Sequence, residues 1–165
     1  MNGKNLAIGV LAALLGACAT TGTQSGSRSD NNAAVDLASE AAGAQGLRPL
    51  TDAALPGKAC GMVLWTLEGA RPAAVFRFVS DKKAEINIAG KPVTLTRSAY
   101  DGAAGFGIFE RQTFTSEEGV TVDVSARFGL GFEGGAYLEN GLIKVRDANG
   151  WSMVAPTAGI AGCKN

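Results

Sequence analysis

The chain has 165 residues, 46% of them hydrophobic, with 15 basic and 15 acidic side chains and no histidine. A balanced charge without a basic stripe excludes the electrostatic footprint of a nucleic-acid binder. Lack of histidine removes the usual general base near neutral pH, the Ser-His and Cys-His nucleophile pairs, and the commonest metal ligand. The chain opens with Lys4 and the free amine as a positive n-region, followed by an apolar run over residues 6–15. That run is far shorter than the roughly 20 residues of a membrane-spanning helix, so it reads as a cleaved signal. Leu15-Gly16-Ala17-Cys18 forms a lipobox, with small residues for a peptidase subsite and Cys18 as the lipidated thiol. A chance cysteine in an ordinary secretory signal is the plainer alternative. A single acyl chain holds a protein reversibly, whereas two or three anchor it stably. No second apolar run approaches the length of a membrane-spanning helix. Ala19, rather than aspartate, follows Cys18. By analogy with other lipoproteins, that points to the outer membrane, facing the periplasm.

Three textures follow the signal. Residues 1–17 are read as the lipoprotein signal peptide, 18–46 as a lipidated flexible tether, and 47–165 as a β domain. Residues 19–32 are rich in Thr, Ser, Gly, Gln and Asn, and bury too little apolar surface to offset their ordering entropy. Residues 33–44 read as a short Ala-rich helix with Val35 and Leu37 as its anchors, capped by Asn32. Gly46, Pro49, Pro56 and Gly57 then punctuate the route into the domain.

The domain reads as all-β, a small antiparallel barrel or sandwich of about eight strands. Val120, Val122, Val124, Ala126 and Phe128 alternate with Thr121, Asp123, Ser125 and Arg127, one dry face against one wet face. Ala84, Ile86 and Ile88 repeat the pattern, and Gly90 turns them into Val93-Thr94-Leu95-Thr96. Residues 60–67 and 74–79 are apolar enough for central strands, and 106–115 adds another. Asp147-Ala148-Asn149-Gly150 is a strong hairpin turn between 142–145 and 151–154. Trp65 and Trp151 are expected in the core. Once Cys18 carries lipid, Cys60 and Cys163 remain at the two ends of the domain, and an oxidising compartment pairs them as a disulfide. Closing a loop of about 100 residues is worth roughly 4–5 kcal/mol on the chain-entropy model. A redox role lacks any C-x-x-C.

Motifs with chemical meaning are weak. Ser80-Asp81-Lys82-Lys83 has the S-x-x-K spacing of serine acyl enzymes, but in a turn between strands and without the companion motifs. Gly129-Leu130-Gly131-Phe132-Glu133-Gly134 has G-x-G-x-x-G spacing with no following helix, and reads as a flexible loop. Glu117 and Glu118 sit in a solvated turn, and Asp101, Glu110, Asp123 and Glu139 are scattered. Arg77 and Arg111 alternate outward onto a solvated face or line a barrel mouth. Phe132 and Tyr137 fall in the glycine-rich stretch 129–141, where aromatics serve as interface anchors or tuck down over a barrel end. No cofactor or metal is expected.

The lipobox, the Thr/Ser/Gly tether and a β domain bracketed by cysteines resemble the membrane-bound inhibitors of C-type lysozyme. Residues 83–95, KAEINIAGKPVTL, are similar to that family's strand–Gly–strand hairpin, and Ser98 with Tyr100 resembles its inhibitory S-G-x-K/R-Y loop. Ser98-Ala99-Tyr100-Asp101 carries neither the glycine nor the basic residue of that motif. The resemblance implies a β domain and inhibition of a lysozyme-like cell-wall hydrolase, with Ser98 and Tyr100 near the contact loop. Residues 56–65 are also similar to small envelope proteins without an assigned activity. The expected function is a lipid-anchored, non-catalytic binding or structural module. It would be held to the membrane by Cys18, with an envelope protein as partner and Phe132, Tyr137, Ser98 and Tyr100 as candidate contacts. Hydrolase inhibition is the first alternative, and an envelope enzyme the second.

Overall fold

The structure, a computed structural model, describes residues 46–68 and 71–164. The signal peptide, Cys18, the tether up to residue 45 and the expected helix at 33–44 lie outside the described residues. Eight strands follow in order: β1 (Cys60–Thr66), β2 (Ala74–Val79), β3 (Lys83–Ile88), β4 (Lys91–Gly105), β5 (Ile108–Thr115), β6 (Thr121–Phe132), β7 (Gly135–Arg146) and β8 (Ser152–Cys163). Each pairs antiparallel with the next, and β8 returns to β1, closing a barrel. The closing seam runs in unbroken register from Cys60↔Cys163 to Thr66↔Thr157, and the Cys60–Cys163 disulfide fastens its end.

Period-two alternation sends one apolar set inward. Eight strands enclose a space that side chains can fill, and Met62, Leu64, Phe76, Phe78, Ile86 and Phe114 fill it, all essentially without solvent contact. Phe114 meets Phe76 and Phe78 edge-on, with ring centroids 5.2 and 5.1 Å apart, a geometry worth about 0.5–1.5 kcal/mol per pair beyond burial. Most outward positions on β3 to β6, and Arg77 on β2, are charged or polar, among them Glu85, Thr94, Arg111 and Asp123. Apolar inside and polar outside is the reverse of a membrane-spanning barrel.

Residues 46–58 form a strap outside β3 and β2. Leu47 bridges to Ile88, Leu50 N donates to Ala74 O (2.8 Å), and Lys58 N donates to Lys164 O (2.9 Å). Arg77, on the outer face of β2, donates to Ala54 O (2.8 Å) and Glu85 Oε2 (2.7 Å) and pairs with Asp52. Outward-facing Val75 and Val79 are buried beside this strap. The strap therefore runs from the lower end of the barrel, at the β3–β4 turn, to the upper end, which carries the disulfide and the β2–β3, β4–β5 and β6–β7 turns.

The β4–β5 hairpin folds over the upper mouth. Phe106 packs against the core and Ile108 is buried within it. Gly107 sits at φ 75° against Ser80, where a Cβ would lie 1.9 Å from the serine hydroxyl oxygen. Only glycine fits that contact.

Two expectations are corrected. Residues 129–134, read as a flexible loop, form the upper β6–β7 hairpin. Ladder pairing overrides glycine's low strand propensity, and Gly135 is needed because Phe132's ring lies where its Cβ would be. Neither tryptophan is a fully buried core residue: Trp65 faces outward on β1, and Trp151 covers the lower end, packed against the core.

Candidate binding cleft on the outer face

Strands β1 and β8 differ from the rest in having no charge on their outer faces near the seam. Val63↔Ile160 and Trp65↔Ala158 are cross-strand pairs pointing outward, with Gly61↔Gly162 above them. The run Met62-Val63-Leu64-Trp65 is apolar at both parities, so it supplies the barrel core and an apolar exterior at once. The strap passes alongside, and Leu55 reaches Gly61, whose missing side chain makes room for it. Between strap and seam lies a cleft of about 380 Å³, floored by Val63, Trp65 and Ile160 and walled by Leu55 and Phe132. Glu133 and Lys164 are its charged rim.

Phe132 and Tyr137 extend this surface. Their rings are 5.2 Å apart across the β6–β7 hairpin, and Tyr137 pairs in register with Ile160 on the cleft floor. They remain 42% and 50% exposed. Below them, exposed Leu142 lies opposite Pro156, and exposed Val154 continues the apolar strip. Covering the half of one such side chain that is still exposed is worth on the order of 1 kcal/mol, so this strip gains from a partner.

Ser98 and Tyr100 sit elsewhere, on β4. Ser98 lies at a bulge and donates to Thr113 O (3.2 Å). Tyr100 stacks on Phe109 at 4.2 Å. Beneath them Arg97 points into the upper barrel, its guanidinium 4.9 Å from the Phe78 and Tyr100 ring centroids and 5.4 Å from Phe109. It donates to Gly107 O (2.8 Å) and Gln112 Oε1 (2.9 Å), so a cation closes the mouth under an aromatic roof. Phe109 and Arg97 both contact the ring of Tyr100, and 59% of the residue stays accessible.

Outside β4 to β7 runs a second groove of about 420 Å³, lined by Tyr100, Asp101, Arg111, Asp123 and Lys144. Its carboxylates are engaged. Arg111 Nε donates to Asp101 Oδ2 (3.1 Å), and Nη2 makes a second bond to the same oxygen. That hydrogen bonding, then the Gly102 N–H and the arginine's charge, holds the Asp101 carboxyl below its ordinary range and raises Arg111. Asp123 accepts from Thr113 Oγ1 (2.9 Å) and Arg146 Nη2 (2.7 Å). Glu117 and Glu118 lie in an exposed turn, and Ser80-Asp81-Lys82 turns β2 into β3. Among the described residues no three His, Cys, Asp or Glu side chains gather as metal ligands would.

The fold thus joins Phe132 to Tyr137 and separates both from Ser98 and Tyr100. No family model, curated protein or solved structure matches the chain. The cleft must be read from its own geometry. Val63, Leu55 and Ile160 were missed as site residues, because only the register of β1 with β8 and the path of the strap bring them together. The one available signal was the apolar run at both parities of β1. Arg97 gave no local signal, since a strand arginine points outward by default.

Proposed function

We propose that this protein is a lipid-anchored, non-catalytic binding module of the cell envelope. In this reading acyl chains on Cys18 hold it to the outer membrane facing the periplasm, and an envelope protein is its partner. The observation that carries the reading is the apolar cleft continuous with the Phe132–Tyr137 pair. Aromatic anchors beside an apolar pocket are the usual centre of a binding surface. The packed interior supports it too, because Phe76, Phe78 and Phe114 occupy the space in which a wider barrel would hold a ligand. The test is in-cell crosslinking and pull-down of the full-length lipoprotein beside a Phe132→Ser, Tyr137→Ser variant. The variant should lose a stoichiometric partner. Retention of that partner at wild-type yield would exclude the cleft.

A second reading is inhibition of a lysozyme-like cell-wall hydrolase through Ser98 and Tyr100. Its support is the exposure of Tyr100 at the rim of the second groove. A Ser98→Ala, Tyr100→Ala variant should then lose inhibition of a purified C-type lysozyme, and unchanged inhibition would remove the reading.

A further inference from the structure

The outer face of the closing seam carries charge only at its upper edge. From Gly61 to Trp65 on β1, and from Val154 to Gly162 on β8, every outward position is uncharged. At the top, Glu133 in the β6–β7 turn and Lys164 just after β8 stand on the cleft rim. Among the described residues neither takes part in an ion pair, whereas Glu85, Asp101 and Asp123 are each matched by an arginine. One rim thus holds an anion and a cation, both without a countercharge.

Such a rim is its own complement. In an isologous contact residue i meets residue j while j meets i. A two-fold axis along the β7–β8 ladder has Glu133 on one side and Lys164 on the other, so each meets its opposite in the second copy. Just below, Val63, Ile160 and Tyr137 lie in register at one height. The same axis lays the Phe132–Tyr137 pair of one copy over Ile160 and Val63 of the other, and brings Leu142 against Pro156 lower down. The uncharged strip continues from Ile160 to Val154, about 20 Å at 3.3 Å per residue. That is a protein face rather than the length of a ligand confined to the cleft. An anionic lipid would answer Lys164 but set its own charge against Glu133. The chain enters the barrel at the opposite end, where Leu47 bridges Ile88. A two-fold along these strands keeps the upper ends together and both entry points on the other side, where two anchors share one membrane.

We propose that this face pairs the protein with a second copy of itself, with Glu133 of each copy against Lys164 of the other. The inference rests on the cleft as a binding surface and names its occupant: the envelope protein bound there is another molecule of this chain.

The test is sedimentation of the purified full-length lipoprotein in detergent at concentrations up to about 1 mM, the scale that tethering supplies. A reversible dimer is expected. Glu133→Lys and Lys164→Glu should each weaken it by about tenfold or more, because both symmetric pairs become like-charged. An equimolar mixture of these two variants should return to within about threefold of wild type, since each lysine then meets a glutamate. A folding defect in either variant would not be rescued by mixing. Phe132→Ser with Tyr137→Ser should weaken the dimer by at least tenfold. Three outcomes overturn the proposal: a monomer at about 1 mM, a dimer indifferent to the single charge reversals, or two weakened variants that the mixture does not restore. A monomeric lipoprotein whose in-cell partner is a different protein, lost on the aromatic double change, would remove self-pairing and leave the cleft reading standing. A dimer and a crosslinked partner that both survive the aromatic change would remove the two together.

Discussion

Two seams of one barrel have opposite designs. Where β1 meets β8, seven consecutive residue pairs run without a break and a disulfide fastens the upper end. Where β5 meets β6, five pairs hold the lower half and the upper half parts. At the closed seam the backbone is satisfied and the side chains form the apolar surface. At the open one the upper part of β6 has no β5 partner, its pairing with β7 shifts register at Ser125/Arg127 and Phe128/Gly131, and Leu130 is exposed. A single fold thus presents two kinds of surface, and each depends on how completely its strands pair.

The largest effect should come from breaking the closed seam. Cys60→Ser with Cys163→Ser is expected to lower unfolding free energy by roughly 4–5 kcal/mol, the loop-entropy value for a crosslink of this span, read as a shift in urea midpoint at unchanged slope. An unchanged midpoint would mean that the ladder alone holds the seam. Next, Phe114→Ala removes the ring that joins Phe76 to Phe78, on the strand that anchors the lower half of the open seam. A loss of about 3–5 kcal/mol is expected.

Arg97→Ala addresses the cap above the open seam. It strips Gln112, 3% exposed, of its charged donor and the aromatic roof of its cation. The expected loss is about 2 kcal/mol, with faster amide exchange at residues 105–108 than elsewhere in the barrel. Exchange rising uniformly would show that the cap does not open by itself. The smallest effect belongs to Asp101. Its carboxyl is held low by Arg111, so its contribution is present above the unfolded carboxylate pKa and fades as pH falls through the lower folded value. Both groups are surface groups, so the readout is spectroscopic. Acid titration should shift the Arg111 Nε–H resonance below pH 4, and Asp101→Asn should remove that step.

Legibility in the sequence followed the range of the interactions. Val122-Asp123-Val124 shows the inside and outside of β6 within a few residues, and the cysteines pointed to the end-to-end closure. Gly129 and Gly131 were read as a loop because a strand's partner lies outside any local window. The strap was seen only as Pro and Gly punctuation, since its bonds to Ala74 and Ile88 involve backbone that no side-chain pattern records. Phe132 and Tyr137 stood out locally as aromatics in a glycine-rich stretch. Their joining with Val63 and Ile160 needed the β1–β8 register.

That register also sets the order in which the protein is made. Seven of the eight strand pairings link neighbours in the chain, whereas the seam joins residues 103 positions apart. Local hairpins form in microseconds, but a non-local pairing waits on loop closure. A chain emerging from its N-terminus therefore carries β1 paired with β2 but unmatched along its other edge until β8 is released. During that interval the Cys60 thiol has no native partner, and the same strand that later frames the cleft is the one most in need of a chaperone.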